Sequence, residues 1–214
     1  FQVKLGSMYD KAQRVSRMVE VLSGKFLLSK EETGTAQRAA QLCKADLATQ
    51  MVVEMTALQG VMGRYYALQA GESEAVAQAI YEHHLPRFSG DSLPQSLPGR
   101  VVSIADRLDT LTGLFAAGLA PTGAKDPFAQ RRTAVGLVQL LLAIELPVDL
   151  RTILKEVVAP RLPIPMSEEV QQECLQFIIE RLRNLLLDQG YRYDVVDAVI
   201  VVQGHNPASA VQAV

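Results

Sequence analysis

The helical spacing of apolar residues restricts the fold of this chain more than any other feature. In the segment 11–22, four apolar residues recur at i, i+3, i+4 and i+7 and therefore share one helix face: Val15, Met18, Val19 and Leu22. Alternating β-branched segments, which are typical of half-buried strands, are scarce. Because 49% of the 214 residues are apolar, a substantial core is available. The sequence predicts an all-α fold.

Similar spacing predicts helices along the rest of the chain. We expect them over 35–58, 61–70, 74–84, 100–118, 128–144, 150–158, 167–187, 193–202 and 207–214. Glycine and proline concentrate in the intervening segments 86–99 and 121–127, and at Pro160, Pro163 and Pro165. The last group predicts a boundary between a helical domain, residues 1–160, and a helical extension, residues 161–214.

Charge and cysteine content exclude several classes of protein. A net charge of −2 excludes a globally basic nucleic-acid binder but is compatible with a local basic patch. No apolar run approaches the ~18 residues that a membrane span needs. Cys43 and Cys174 each lie within apolar helical segments, which favours buried thiols over a disulfide. The chain opens at Phe1 without an initiator Met, so we expect an internal fragment of a longer protein.

Two carboxylates and a histidine pair are the candidates for a polar site. Asp46 and Asp106 interrupt apolar helix faces, where a carboxylate must be paired, hydrogen-bonded or metal-bound. Lys44 or Arg64 is a possible ion-pair partner for either carboxylate. The adjacent histidines, His83 and His84, precede Pro86 at an expected helix end. They are either metal ligands or a solvated or hydrogen-bonded pair.

A short segment rich in cations is the candidate for phosphate binding. Asp126-Pro127 predicts a helix start with Asp as the N-cap and Pro at the first position. Exposed NH groups at a helix start, with Lys125, Arg131 and Arg132 nearby, suit a phosphate. A capped helix with a solvated charge pair explains the same residues equally well.

The order of these motifs resembles the HD-domain family of metal phosphohydrolases, which implies an HD-domain-like helical bundle. Asp46 and Asp106 match the family's two aspartates, and His83-His84 is similar to the His-His stretch of its HD-GYP branch. Ala45 stands where the family has a metal-binding histidine, and Arg14 or Arg17 stands where an earlier histidine is expected. The metal site therefore appears in the sequence as a degenerate one, and we expect no bound metal and no catalytic residue.

A closer resemblance is to the β subunit, or β region, of bacterial-type glycine–tRNA ligase. The motifs that carry it run in order from residue 1 to about residue 142: LGS at 5–7, KADL at 44–47, LQGVMGRYYA at 58–67, EHHLP at 82–86, ADRLDTL at 105–111, PTGAKDPF at 121–128, and Arg131-Arg132. A departure is Met55-Thr56-Ala57, where many members have Phe-Pro-Glu. This difference resembles versions in which the α and β regions are fused.

The resemblance implies a role in charging tRNA(Gly). Glycine activation with ATP and Mg²⁺ would belong to the α subunit or fused α region, so we expect no cofactor in this fragment. The β region would bind the tRNA, with phosphate contacts from Arg64, Lys125, Arg131 and Arg132. Tyr65 and Tyr66, which follow Arg64, could stack on unpaired bases, but tyrosines after Gly-Arg at a helix start more often lie in the core, which is the expectation here. The implied location is the bacterial cytoplasm, or a plastid or mitochondrion in a plant.

Three hypotheses remain from the sequence. The first is a non-catalytic tRNA-binding or architectural domain of the ligase. The second is a residual metal-dependent phosphohydrolase acting on a nucleotide or RNA end, using Asp46, Asp106 and the histidine pair. The third is a scaffold that separates the catalytic and anticodon-binding parts without touching RNA.

Overall fold

The regular structure of this chain is helical throughout the part described by the computed structural model, residues 2–88 and 90–214. Extended pairing there is limited to two isolated bridges, Gln2 with Gly6 and Thr122 with Lys125. The all-α prediction is confirmed. Ser89, in the stretch similar to HD-GYP proteins, and Phe1 lie outside the described residues. Among the described helices, none combines the length and apolarity required to cross a membrane.

By internal packing the chain forms two compact units, Phe1–Asp109 and Thr110–Val214, with the division inside helix α6. The first unit contains α1 (Met8–Lys25), α2 (Lys30–Leu42), α3 (Gln50–Glu54), α4 (Val61–Gln69), α5 (Glu74–Glu82) and most of α6 (Leu97–Ala116). Helix α2 packs against both α1 and α5, and α5 also packs against α4. The four apolar residues of the predicted α1 face are all fully buried, as their spacing predicts.

Side-chain capping sets where the first two helices begin. At α1, Ser7 Oγ accepts a hydrogen bond from Asp10 N, and the Asp10 carboxylate accepts one from Ser7 N at 2.8 Å. Ser29 and Glu32 form the same reciprocal capping box at α2. A capping box satisfies two NH groups that a helix start otherwise leaves unpaired. Helix α1 therefore begins three residues before the predicted Lys11.

The single helix predicted over 35–58 is wrong. Helix α2 ends at Leu42, and the chain continues through a 3₁₀ turn (Ala45–Ala48), the short helix α3 and a second 3₁₀ turn (Thr56–Leu58). Thr49, between the turn and α3, is extended, with φ −87° and ψ 144°. This break turns the Asp46 carboxylate towards the start of α4, where Oδ2 accepts a hydrogen bond from Gly60 N at 2.7 Å. A tertiary contact outweighs the helical pattern here.

Helix α6 begins at Leu97, three residues before the predicted start. Ser96 Oγ accepts a hydrogen bond from Gly99 N at 3.0 Å and caps this helix. Pro98 falls in the first turn, where its missing NH group costs no helical hydrogen bond. The residue that signalled a loop in the sequence is thus part of the helix start.

The second unit contains α7 (Gln130–Ile144), α8 (Leu150–Thr152), which continues as a π-helix (Ile153–Val158), a 3₁₀ turn (Ala159–Arg161), α9 (Glu168–Asp188), α10 (Tyr193–Gln203) and α11 (Pro207–Ala213). Helix α7 packs against α9 and α11, and α9 packs against α10 and the π-helix. The predicted domain boundary at residue 160 stays a prediction. Cys43 and Cys174, one in each unit, are free and buried as expected, and burial raises the pKa of each thiol to about 12.

Helix α7 begins at Gln130 and not at Pro127, so the predicted N-cap position is wrong. Ala129 adopts a left-handed conformation with φ 52°, which separates Asp126 from the helix. The Asp126 carboxylate nevertheless accepts hydrogen bonds from Gln130 N at 2.8 Å and from Arg131 N at 2.9 Å. The first NH groups of α7 are therefore occupied by this carboxylate.

The substitution Asp126→Ala tests this corrected helix start. It removes the acceptor for two NH groups, so we expect a loss of about 1 kcal/mol in the free energy of unfolding. Urea denaturation monitored by circular dichroism measures the change. Asp188→Ala is the matched control, since Asp188 is exposed at the C-terminal end of α9 and caps no described NH group. Equal stabilities of the two variants would contradict the capping role.

Candidate functional site

The first unit contains a buried ion-pair centre, and one of its residues, Asp106, is a predicted site residue. We use this term for five residues: Lys11, Arg14, Lys44, Asp106 and Asp109. The first two lie on α1, Lys44 follows the end of α2, and the two aspartates lie on α6. The aspartates are three residues apart, so they project from one face of their helix, as do the two cations of α1.

Lys44 connects Asp106 to the histidine pair. Its Nζ lies 3.1 Å from Asp106 Oδ2 and 2.9 Å from His83 Nε2, and its side chain is only 8% exposed. The pairing of Lys44 with Asp106 was one of those allowed by the sequence. Arg64, the other cation considered there, pairs instead with Glu74.

The two cations of α1 complete the neutralisation of the aspartates. Lys11 Nζ lies 3.2 Å from Asp106 Oδ1 and 3.1 Å from Asp109 Oδ2. The Arg14 guanidinium binds both oxygens of Asp109, with Nε at 2.6 Å and Nη2 at 3.1 Å, and its Nη1 donates to the Leu5 carbonyl at 2.8 Å. Three cations and two anions give the centre a formal charge of +1.

Mutual attraction keeps these groups ionised despite their burial. Burial would lower the pKa of Lys11, but Asp106 and Asp109 outweigh it and raise that pKa above its usual value. Burial would likewise raise the pKa of Asp106, yet Lys11 and Lys44 hold it well below its usual value. Opposite charges a few ångströms apart favour the charged form of each group.

His83 and His84 are neutral members of the same region. His83 Nδ1 donates to the Ile80 carbonyl, which leaves Nε2 as the acceptor for the Lys44 ammonium. Burial lowers the pKa of His83 well below its usual value, and His84 and Lys44 lower it further. Burial, with a smaller effect of Lys44, lowers the pKa of His84 to about 3. The two rings are in contact, with centroids 3.8 Å apart.

Arg107 positions the chain that follows the histidines, a role that the sequence did not indicate. It is buried, and its Nη2 donates to the Pro86 carbonyl at 2.8 Å while Nη1 donates to the His83 carbonyl at 3.2 Å. Ser103 Oγ donates to the carbonyls of His83 and Leu85, both at 2.9 Å. Burial lowers the pKa of Arg107 to about 10. These bonds fix the end of α5 against α6.

Asp46 takes a different role from Asp106. Its Oδ2 accepts hydrogen bonds from Gly60 N at 2.7 Å and from Gly63 N at 3.2 Å, so the carboxylate caps the start of α4. Gly60 has φ +76°, and a Cβ there would lie 2.3 Å from His84 Cδ2. The close approach of the His84 ring therefore requires glycine at this position.

The donor groups do not fit a divalent metal. The two oxygens of Asp106 lie against the ammonium groups of Lys11 and Lys44, and Nε2 of His83 accepts from the same Lys44 ammonium. The Asp46 carboxylate caps α4. Within residues 2–88 and 90–214, no three His, Cys, Asp or Glu side chains are grouped so that they could hold a metal ion. A metal would have to displace Lys11 and Lys44, so this centre is not suited to metal-dependent hydrolysis.

The predicted RNA-contact residues lie elsewhere, and each is described within its own unit. Arg64, on α4, is partly exposed beside Tyr65, whose exposure of 63% contradicts its expected core position. Tyr66 is half-buried. In the second unit, Lys125 and Arg132 are exposed near the start of α7, and Arg131 lies 3.8 Å from Asp126.

Comparison with known proteins agrees with the motif order. Residues 1–201 match the family model described as glycyl-tRNA synthetase beta subunit. The chain belongs to this family. It is 44% identical over 203 residues to the glycine–tRNA ligase beta subunit of Trichodesmium erythraeum, 45% over 201 residues to that of Clostridioides difficile, and 44% over 210 residues to that of Halothermothrix orenii. These matches cover 94%, 94% and 97% of the chain, and 28%, 29% and 30% of the relatives. The chain thus spans less than a third of their length.

The substitution Lys44→Met tests the energetic importance of the ion-pair centre in this family member. It keeps most of the side-chain volume and Lys11 still neutralises Asp106, but Asp106 Oδ2 and His83 Nε2 lose their donor, so we expect a loss of about 1–3 kcal/mol in unfolding free energy. Urea denaturation at pH 7.5 measures it. Lys155→Met is the control, since Lys155 is 70% exposed and lies 3.6 Å from Glu168. A Lys44→Met protein as stable as the control would refute the role of the centre.

The neutral histidines predict that stability falls in weak acid. Both have a folded-state pKa below the usual 6.5, so the unfolded chain binds protons more readily. Stability is therefore complete above about pH 6.5 and is lost as the pH falls, by up to about 1.4 kcal/mol per pH unit for each histidine. The His84→Gln protein should show a smaller slope between pH 6.5 and 5, measured by urea denaturation. An unchanged slope would show that His84 does not contribute.

Proposed function

We propose that this chain is the HD-like domain of a glycine–tRNA ligase beta region and that it contacts the phosphate backbone of tRNA(Gly). Family membership supports the ligase assignment. The observation that carries the RNA contact is a group of three cations near the start of α7, which we call the α7 cation group: Lys125 and Arg132, which are exposed, and Arg131, which is partly exposed. A ligase that charges tRNA needs surfaces of this kind to position the RNA without reading its bases.

Hydrogen bonds close the loop before α7, which favours contact with a phosphate. Thr122 and Lys125 exchange backbone hydrogen bonds at 3.2 and 2.9 Å and close a tight turn. Arg131 donates to the Gly123 carbonyl and stays near Asp126, so it fixes the loop. In the part of the chain that the structure describes, the side chains of Lys125 and Arg132 form no ion pair. Lys125 thus lies on this hydrogen-bonded turn and Arg132 in the first turn of α7, so both cations are available on regular backbone, which reduces the entropy lost on binding.

Arg64 and Tyr65 support a second RNA contact on the first unit. The Arg64 guanidinium lies 2.5 Å from Glu74, and both side chains are substantially exposed, at 40% and 66%. Such a surface ion pair contributes little stability, so a phosphate can compete for the arginine. The exposed Tyr65 ring next to it offers a face on which an unpaired base can stack.

The same proposal includes the reaction and its location. Charging of tRNA with glycine would use ATP and Mg²⁺ in an α subunit or fused α region, and this chain would contribute no catalytic residue. The expected location is the bacterial cytoplasm. The scaffold hypothesis predicts no RNA contact, whereas the exposed cation group favours one; the phosphohydrolase hypothesis gains no support from a centre occupied by ammonium groups.

The double substitution Lys125→Ala/Arg132→Ala, made in the complete ligase, tests the phosphate contact. Losing two phosphate contacts should weaken tRNA(Gly) binding several-fold at physiological salt and lower the slope of log affinity against log salt by about 1–2. Filter binding across a series of KCl concentrations measures both quantities.

Lys155→Ala is the matched control, because it removes an exposed cation from the same unit. Unchanged affinity and unchanged salt slope for the double variant would exclude the α7 cation group as an RNA contact. Footprinting of tRNA(Gly) would then decide whether the domain is only a scaffold. Protection of the RNA that disappears when Arg64 and Tyr65 are removed would support the second contact. No protection of the RNA by the domain would support the scaffold hypothesis.

A further inference from the structure

Helix α10 leaves most of its apolar side chains outside the core of the second unit. Eight of its eleven residues are apolar and the structure describes all of them, yet Val196 is the only one that is buried. Val201 is 85% exposed, Val202 is 68% exposed and Tyr193 is 70% exposed. A helix that is apolar on every side is normally buried on every side. The composition of α10 therefore requires a covering element that the described residues do not supply.

The exposed aliphatic side chains share one face of this helix. Val196 lies on the side that packs against the neighbouring helices α9 and α11. On the side away from Val196 lie Ala198, Val201 and Val202, which are exposed, and Val195, which is half-buried. Their spacing of three, four and seven residues places them together. We call these four residues the α10 outer face. Contiguous exposed apolar side chains of this kind mark an interaction site.

The acidic residues of α10 are both paired within the second unit. The Asp197 carboxylate accepts hydrogen bonds from Arg183 Nε at 2.6 Å and from Arg183 Nη2 at 3.1 Å. The Asp194 carboxylate accepts one from Arg192 Nη2 at 2.6 Å. The α10 outer face itself carries no charged side chain among its four described residues. It therefore suits an apolar protein surface and not an RNA phosphate, which requires cations.

The size of the face distinguishes a separate protein from a tethered segment. An eleven-residue helix is about 16 Å long and about 10 Å wide, so one side of it offers far less than the ~800 Å² per partner that stable complexes bury. A segment of the same polypeptide needs no such area, because the connecting chain keeps its effective concentration high. The chain covers only 28–30% of the relatives that it matches, so a protein of their length has most of its residues outside this sequence.

We propose that the α10 outer face is covered by an amphipathic helix of the same ligase polypeptide, from outside residues 1–214. The apolar side of that helix would pack against Ala198, Val201 and Val202, and the small Ala198 side chain allows a close approach. The interface would attach the second unit to the rest of the ligase. The proposal rests on membership of the family and not on the RNA contact of the α7 cation group, so each can fail without the other.

Thiol labelling of the complete ligase measures whether the face is covered. Val201→Cys and Val202→Cys place a reporter thiol at two exposed positions with little change in side-chain volume. Each thiol should react with N-ethylmaleimide at least about tenfold more slowly in the native ligase than in urea, because it is reached only when the interface opens. Lys155→Cys is the matched control, since the Lys155 side chain is 70% exposed in the same unit, and it should react at similar rates in both conditions. Mass spectrometry of the peptide that carries the new thiol separates its signal from those of other cysteines.

Photo-crosslinking identifies the segment that covers the face. When p-benzoylphenylalanine is encoded in place of Val202 in the complete ligase, irradiation should join it to a peptide of the same chain from outside residues 1–214. Because this product joins one chain to itself, it should keep the mass of a single chain on a denaturing gel.

Several results would overturn the proposal. Equal labelling rates in the native and the urea-denatured ligase at positions 201 and 202 would show that the face is open. A crosslinked product of twice the chain mass would show an interface between two copies, and a product that contains another protein or tRNA(Gly) would assign the face to that partner. Slow labelling without a crosslink to the same chain would also contradict it.

Discussion

The first unit depends on the mutual neutralisation of Asp106 by Lys11 and Lys44. These residues come from three parts of the chain, and none of them could remain charged in the core without the others. Their ion pairs therefore couple α1, the end of α2 and α6. His83 extends the coupling to α5, because its Nε2 lone pair accepts from Lys44. Burial would destabilise each of these charges if it were alone. Because the charges are stable only together, they fix the arrangement of α1, the end of α2, α5 and α6.

The centre also explains why the side chains around Asp106 do not suit metal ligation. Ammonium groups stand against the Asp106 carboxylate and the His83 ring nitrogen, which are the kinds of atoms that bind a metal. An ammonium supplies positive charge and hydrogen-bond donors but cannot activate a water as a metal does. The Lys11 and Lys44 ammonium groups thus hold the surrounding elements together without supplying hydrolytic chemistry. A domain of this kind is suited to architecture and to binding at its surface.

The sequence predicts the helices well where local physics decides them, and less well where distant contacts do. The buried face of α1 follows from the spacing of its apolar residues, and an ion pair between Lys44 and Asp106 was among the alternatives. The cations of α1 and the aspartates of α6 both have i, i+3 spacing, a matching pattern from which their ion pairs are predictable. The break after Leu42 was not predictable, since it depends on Asp46 reaching Gly60 in the folded chain. The role of Arg107 likewise requires the carbonyls of a loop that is remote in sequence.

Asp46 and the ion-pair centre are linked by a continuous series of contacts. Asp46 binds the NH group of Gly60, the His84 ring lies against Gly60, and His84 contacts His83, which accepts from Lys44. Groups that share partners in this way are not energetically independent. Asp46 and the ion-pair centre are in this sense parts of one network, which connects the start of α4 to α1 and α6 through the histidine pair.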